Sequence, residues 1–178
     1  NNLFKIEISE EYSKLTFIEN SSLKYIQDFK FGSNLIINDI SKITGLKTDI
    51  IKNILVNSDF SENNLKELVE KNFFKDNNYR KISKKLIKDI ANARIEELSE
   101  IILLKNINTK FFLEKKIPIF LKIKDPLILQ KFINSFKLFF SNKYNCSLSF
   151  IDNDETENFY NNANDIVQFG WKKEAVPI

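Results

Sequence analysis

The side chains of this 178-residue chain that could do chemistry are mainly carboxylates and lysines. The sequence has no histidine and a single cysteine, Cys146. It therefore excludes His/Cys zinc sites, histidine general bases and Cys–His dyads. The three glycines, Gly32, Gly45 and Gly170, stand far apart, whereas Walker and dinucleotide-binding loops need clustered glycines for close backbone approach to phosphate. The composition thus disfavours most enzyme classes, and we expect no catalytic residue and no metal site.

A carboxylate-rich turn near the start of the chain is the first candidate site. Glu7 stands in an alternating strand, Ser9 follows it, and Glu10 and Glu11 continue the turn. Glu7 has two interpretations: a carboxylate retained from metal-dependent chemistry, or a polar residue on the outward face of a strand whose apolar face carries Ile6. Adjacent carboxylates on a turn are expected to face water, and we expect this of Glu10 and Glu11.

The distribution of charge bears on nucleic-acid binding. The chain has 27 basic and 24 acidic residues, a net charge of +3, and only two of its basic residues are arginine. The near-balance gives no broad basic footprint, and arginine is the better reader of bases and phosphates, so we expect no nucleic acid as a partner. The densest basic cluster is either a solvated face or a patch for acidic lipid or nucleic acid. It consists of Arg80, Lys81, Lys84, Lys85 and Lys88.

The hydrophobic pattern of the first half predicts three strands followed by helices. Apolar residues alternate within 3–8, 14–18 and 23–29 between short polar turns, which indicates an antiparallel meander. From Asn34 the period becomes helical and ends at Gly45. We expect Ser33 or Asn34 to cap this first helix, although its amides could instead hold an anion. Thr48 or Asp49 is expected to cap a second helix.

The second half alternates between helices and strands. A long helix is predicted over 83–105 and a buried strand over 117–123. Asp125-Pro126 is typical of a helix start, and a further strand is predicted over 146–151 with a last helix from 152 to 169. Because a strand–helix–strand order requires parallel strands with helices on the sheet faces, the predicted fold class is α/β.

This element order and three stretches of sequence resemble FtsA, the family of bacterial cell-division actin homologues. Residues 29–40 (FKFGSNLIINDI) resemble the family's GG-D/N-H-I-T-x-D-I stretch, and residues 89–98 (DIANARIEEL) resemble its I-I-x-x-R-x-E-E-I helix. Residues 169–178 (FGWKKEAVPI) resemble the close of the actin-like core. The resemblance implies an actin-like, ribonuclease H-like fold corresponding to the second half of that core.

The same resemblance implies a division of the chain into three parts. Residues 1–56 would form the first part of actin-like subdomain 2A, and residues 82–178 would return to it. Residues 57–81 would be a short insertion in place of subdomain 2B, which is where the family contacts its filament partner. An isolated half of a two-domain actin fold exposes apolar surface, so we also expect weak self-association of the chain.

The resemblance further implies a relic nucleotide site. The family's phosphate hairpin, D-x-G-x-x-x-T, is matched by a stretch in which Glu7 keeps the carboxylate but Ser9 replaces the glycine. Gly32 lies in the stretch that begins the first helix, and Lys52 stands where the family contacts the nucleotide. The family's T-G-G-G turn falls on residues 122–125, which contain no glycine. We therefore expect no cofactor, with ATP and magnesium as the alternative.

The function implied by the FtsA resemblance is that of a non-catalytic cell-division scaffold at the septum. Such a protein forms homo-oligomers or filaments and links FtsZ-type filaments to the inner membrane at its cytoplasmic face, here through a segment not in this chain. Arg94 would either pair with Glu97 in its own helix or make a family-type contact, and Trp171 would anchor a partner or plug the core. Two alternatives stay open: a Lys-rich α/β module that binds nucleic acid or acidic partners, and an active actin-type ATPase half.

Overall fold

A computed structural model describes residues 2–74, 79–106, 109, 116–141 and 146–151. They form a five-stranded sheet with helices packed against one of its faces. The strands are β1 (Leu3–Ile8), β2 (Ser13–Glu19), β3 (Ser22–Phe29), β4 (Ile119–Ile123) and β5 (Leu148–Phe150). The helices are α1 (Asn34–Thr44), α2 (Thr48–Asn57), α3 (Lys84–Ser99) and α4 (Pro126–Phe140), with 3₁₀ turns at Glu62–Asn64 and Lys71–Phe74 and a π-helical turn at Glu100–Leu104.

The sheet has the strand order β3-β2-β1-β4-β5. Strands β1, β2 and β3 form an antiparallel meander, β4 pairs with β1 in parallel, and β5 pairs with β4 in parallel. The register of the central strand places Phe4 opposite Phe17 on one side and Ile119 on the other. The predicted meander, the later parallel strands and the α/β fold class are therefore confirmed.

The hydrophobic core lies between the helices and one face of the sheet. Phe4, Ile6 and Ile8 of β1 are fully buried on this face, as the alternation predicts. Burial of each such side chain contributes about 1.5–3 kcal/mol. On α3 the buried face carries Ile87, Ala91 and Ile95, whereas Leu86 and Ala93 are exposed.

The end of α1 and the start of α3 match the sequence pattern, whereas the predicted cap of α2 does not form. Gly45 ends α1 with φ of +66°, and its N–H donates to the Ser41 carbonyl at 2.8 Å. Ser83 caps α3, since its side chain accepts a hydrogen bond from an amide of the first turn. The predicted cap of α2 is wrong: Lys47 is the N-cap, and Thr48 is already the first helical residue.

The second face of the sheet is also largely covered at its centre. Lys5, Glu7 and Lys122 lie on the strand positions that alternate with the core residues, yet each is more than nine-tenths buried. Glu7 thus lies on the face opposite the core, as one of its two interpretations had it, but that face is covered here and only 9% of the residue is exposed. Alternation indicates which face is polar, but it does not indicate whether that face is covered.

Among the described residues of 57–81 are the two 3₁₀ turns, and Leu68 forms a β-bridge with Ser83 just beyond this stretch. The described part of this stretch buries Val69, Phe73 and Phe74 in the same core as the sheet. The division into 1–56, 57–81 and 82–178 stays a prediction. Trp171 and the last predicted helix lie outside the described residues.

Candidate functional site

The turn between β1 and β2 is fastened to the first residues of α1. The Ser9 N–H donates to the Tyr12 carbonyl at 2.9 Å and closes the turn. The Ser33 N–H then donates to the Ser9 carbonyl at 2.9 Å, and the Asn34 N–H donates to the Glu10 carbonyl at 3.0 Å. Amides at the start of a helix lack partners within it. Here the carbonyl groups of the turn accept the hydrogen bonds from these amides, so the amides are not free to donate to a phosphate oxygen.

Gly32 makes this close contact possible. A β-carbon at Gly32 would lie 2.2 Å from the Ser9 carbonyl oxygen and 2.6 Å from that of Glu10, closer than β-carbons approach backbone oxygens in proteins. The glycine therefore lets α1 begin directly against the turn. Two of the four predicted relic-site residues, Ser9 and Gly32, are brought together in this way.

The Asp125 carboxylate joins the starts of two helices. One oxygen accepts hydrogen bonds from the Leu127 and Ile128 amides, both at 3.1 Å, and so caps α4. The other oxygen accepts the Ser33 hydroxyl at 3.0 Å, and both side chains are buried. The predicted side-chain cap of α1 by Ser33 or Asn34 is absent, since Ser33 makes this bridge instead. A negative charge is favourable at a helix start. At the start of α4 this charge comes from the Asp125 carboxylate of the chain itself.

The Glu7 carboxylate lies between two ammonium groups. Lys5 Nζ is 3.7 Å from it and Lys124 Nζ is 3.9 Å from it. Lys124 also donates to the Tyr12 hydroxyl at 3.4 Å and lies 5.6 Å from the centre of the Tyr12 ring. The hydroxyl of Ser9 and the charge of Lys124 lower the pKa of Tyr12. The charge of Glu7 is thus balanced within the chain.

Metal-binding groups are sparse around this turn. Glu10 and Glu11 are exposed, as predicted for adjacent carboxylates on a turn. Within the described ranges, no three His, Cys, Asp or Glu side chains converge as metal ligands. Lys52, the fourth predicted residue, is exposed on α2, and none of the hydrogen bonds or ion pairs found among the described residues joins it to the turn.

Arg94 connects α3 to α1. Its Nε donates to the Asp39 carboxylate, and its Nη1 donates to the Glu97 carboxylate at 2.5 Å. The hydrogen bond to Asp39 raises the pKa of the guanidinium. The predicted pair within the helix is present, and the contact with α1 is added to it. A shallow cavity of about 350 Å³ lies beside Arg94, and its walls also include Asp89.

Much of the basic cluster at the start of α3 is engaged within the chain. Lys84 is buried and pairs with Glu67 at 2.6 Å, and Lys88 pairs with Glu62 at 2.8 Å. The Arg80 guanidinium donates to a carbonyl at the end of α1 at 2.8 Å. Three of the five cations therefore have internal partners, which leaves less charge for an external anion.

Two of the residues that organise these sites, Asp125 and Asp39, have no sequence pattern that predicts their role. Asp125 was recognised only as the start of a helix, and its bridge to Ser33 spans 92 residues of sequence. Asp39 stands in the N-D-I stretch that carries the family resemblance. That resemblance was the available signal that Asp39 and Arg94 belong to neighbouring elements.

Comparison with solved structures identifies the fold. The described topology is similar to that of the ethanolamine utilization protein EutJ from Carboxydothermus hydrogenoformans, with a TM-score of 0.55 and 13% identity over 84% of this chain and 44% of that one. It is also similar to MreB 5 of Spiroplasma citri bound to AMPPNP, with a TM-score of 0.52 and 15% identity over 97% of this chain and 54% of that one. The chain thus spans about half the length of these structures.

Sequence comparisons add nothing to this assignment: no protein-family model and no curated protein matches the chain. Across the described ranges, no helix is both long and apolar enough to cross a bilayer. Both structural neighbours superpose on this mixed five-stranded sheet and its helices with TM-scores above 0.5. The chain therefore has an actin-like fold.

Proposed function

We propose that this chain is half of an actin-like scaffold that works without nucleotide chemistry in this half. The proposal rests on one observation: backbone amides at the starts of α1 and α4 already donate hydrogen bonds to groups of this chain. The Ser9 and Glu10 carbonyls take two amides at the start of α1, and the Asp125 carboxylate takes two amides of α4. A bound polyphosphate would need free donors at such positions.

Charge supports the same proposal. Glu10 and Glu11 are exposed on the turn, and Glu7 is already balanced by Lys5 and Lys124. Carboxylates near a polyphosphate repel it, and the repulsion grows where water is excluded. A scaffold does not need to bind a polyphosphate, because it uses the fold as a rigid frame that presents surfaces to its partners.

We further propose an FtsA-type role, in which the scaffold links FtsZ-type filaments to the inner membrane during cell division. The support is the ordered resemblance of residues 29–40 and 89–98 to that family. These two stretches meet through the Arg94–Asp39 contact. Within this proposal the chain acts at the cytoplasmic face of the membrane and forms homo-oligomers or filaments.

The decisive experiment is calorimetric titration of ATP and magnesium into the longest natural polypeptide that contains these 178 residues. We expect no binding with a dissociation constant tighter than about 1 mM, which corresponds to only about −4.1 kcal/mol. The matched variant Glu10→Gln/Glu11→Gln removes the exposed charges and leaves the backbone bonds intact. If the absence of ATP binding is caused by the amides that already donate hydrogen bonds within the chain, this variant also fails to bind ATP.

An active actin-type ATPase half is the second candidate. It is favoured by the retained carboxylate of Glu7 and by the structural likeness to MreB 5, which was solved with AMPPNP bound. Micromolar binding of ATP in the same titration, with turnover that Glu7→Ala abolishes, would establish this candidate and refute the scaffold proposal. Gain of micromolar affinity in Glu10→Gln/Glu11→Gln alone would show that charge, and not occupied amides, closes the site.

A further inference from the structure

A groove between α1 and α3 is open to solvent beside Arg94. The cavity in it measures about 350 Å³. Ile43 of α1 stands on one wall and is 61% exposed, and Ala93 of α3 stands on the other wall and is exposed as well. Exposed apolar surface with a rim of polar residues is typical of an interaction site. We call this feature the α1–α3 groove.

The rim of the α1–α3 groove carries an excess of negative charge. The described residues that line it include three carboxylates, Asp39, Asp89 and Glu97, and the guanidinium of Arg94. Arg94 already donates to Asp39 and to Glu97. Asp89 is exposed, and no hydrogen bond or ion pair within the described part of the chain engages its side chain. Apolar walls with surplus negative charge suit an occupant that is both apolar and basic.

The outer face of α4 has the complementary character. Ile133 is 39% exposed and Leu138 is 48% exposed, and Lys137 is exposed beside them. Helix α4 contains no carboxylate, and its other lysine, Lys131, donates to two carbonyls at the end of α2. Among the described residues, the Lys137 ammonium has no ion-pair partner. The helix therefore presents two apolar side chains together with an unpaired cation.

We propose that the outer face of α4 docks in the α1–α3 groove of a second copy of this chain. Helix α3 packs against both α1 and α4, so within one copy it separates the groove from α4. The two surfaces of one copy therefore cannot meet, whereas those of two copies can. In this contact Lys137 lies beside Asp89 of the second copy, and Ile133 and Leu138 lie against the apolar walls. Complementary charge of this kind selects the partner and fixes its orientation.

Because the two surfaces differ, the contact is heterologous and leaves a groove at one end of the pair and a helix face at the other. Further copies can therefore add one after another. One helix face buries little area, so we expect a dissociation constant of about 10–100 µM for each contact. This inference deepens the proposed function and rests on it for the role of the assembly. The contact uses neither the β1–β2 turn nor nucleotide, so the ATP titration and the association tests below can fail separately.

Two blocked variants of the 178-residue chain test the contact by sedimentation velocity. Ala93→Arg fills the groove and leaves α4 intact, whereas Ile133→Ser/Leu138→Ser removes the apolar side chains of α4 and leaves the groove intact. We expect each variant alone to associate at least about tenfold more weakly than the parent chain. In an equimolar mixture the intact α4 of the first variant meets the intact groove of the second, and both remaining surfaces are blocked. The mixture should therefore regain parental affinity but stop at two copies, which also excludes misfolding as the cause of the losses.

Charge reversal gives the second measurement. Lys137→Glu places a carboxylate beside Asp89 of the second copy and is expected to weaken association at least about fivefold, whereas Lys137→Glu/Asp89→Lys restores opposite charges and should recover most of the affinity. Lys30→Glu is the matched control, because it makes the same change in net charge at an exposed residue outside both surfaces. It should change the affinity less than about twofold. A parent chain that stays monomeric at about 1 mM, a mixture of the blocked variants that stays at one copy or grows beyond two, or an equal loss in Lys30→Glu would each overturn the proposal.

Discussion

Tyr25 on β3 packs its ring against Phe17, with ring centres 5.8 Å apart. Its hydroxyl is buried and has no hydrogen-bond partner among the described residues. An unpaired buried hydroxyl carries a desolvation cost. Burial also raises the pKa of Tyr25 from 10.0 to about 12, because the phenolate loses more hydration than the neutral phenol.

The raised pKa gives Tyr25 a defined effect of pH on stability. Since the fold favours the neutral phenol, its contribution is complete below pH 10 and is lost as the pH rises towards about 12. We expect Tyr25→Phe to leave stability at pH 7 unchanged or raise it by up to about 1 kcal/mol. Urea unfolding should also show a smaller loss of stability between pH 9 and 12 in this variant.

Tyr12→Phe is the matched control for this pH effect. Tyr12 is exposed, and the hydroxyl of Ser9 followed by Lys124 lowers its pKa, so the fold favours its phenolate. Removing the Tyr12 hydroxyl should therefore not reduce the alkaline loss of stability. An alkaline profile of Tyr25→Phe that matches the parent chain would refute the assignment of the raised pKa to Tyr25.

At the level of single residues, local signals were predictable from sequence and distant pairings were not. Asp125 followed by Pro126 marks a helix start, and Asp125 does cap α4. Its second bond goes to Ser33, 92 residues earlier, and no spacing rule reaches that far. Glu7 shows the same limit. The alternation of apolar and polar residues predicts which face of the sheet Glu7 lies on, whereas its burial between Lys5 and Lys124 depends on the assembled sheet.

The contact between α1 and α3 rests on one guanidinium that binds two carboxylates. Arg94 and Asp39 are each about four-fifths buried, whereas Glu97 is half exposed. A charge-assisted hydrogen bond is stronger where water is largely excluded. The Asp39 contact should therefore matter more for stability than the Glu97 contact, although Glu97 lies in the same helix as Arg94.

A double-mutant cycle measures this difference. For Arg94→Gln with Asp39→Asn we expect a coupling energy of about 1–2 kcal/mol in urea unfolding. For Arg94→Gln with Glu97→Gln we expect about 0.2–0.5 kcal/mol, the usual value for a surface pair within one helix. An Arg94–Asp39 coupling no larger than about 0.2–0.5 kcal/mol would mean that Arg94 does not fasten α3 to α1.

At the level of elements, periodicity predicted most boundaries because the burial of one face dictates the spacing of apolar residues. Helix α1 begins at Asn34 and ends before Gly45, as the pattern indicates. Helix α2 departs from the pattern at its start, where Lys47 takes the cap position without a side-chain bond. Thr48 and Asp49 are good capping types, but α2 begins one residue too early for Thr48 and two residues too early for Asp49 to be its N-cap.

At the level of the whole molecule, the stretch predicted as an insertion shares the core of the sheet. Phe74 is fully buried, belongs to the same hydrophobic cluster as the strands, and packs edge-on against Tyr79 with ring centres 5.1 Å apart. In the same stretch, Leu68 is 45% exposed, is not part of that cluster, and forms a backbone bridge with Ser83. A separate insertion would have its own core, and these contacts argue for one cooperative unit.

Substitution of Phe74 tests whether residues 57–81 unfold with the rest of the chain. Phe74→Ala removes a fully buried ring and is expected to lower the free energy of unfolding by about 3–5 kcal/mol. The fluorescence and circular dichroism transitions in urea should stay coincident, because one core is being weakened. Leu68→Ala is the control from the same stretch and should change stability by no more than about 0.5 kcal/mol. A Phe74→Ala transition that splits in two, or that leaves the main midpoint unmoved, would show that this stretch folds apart from the sheet.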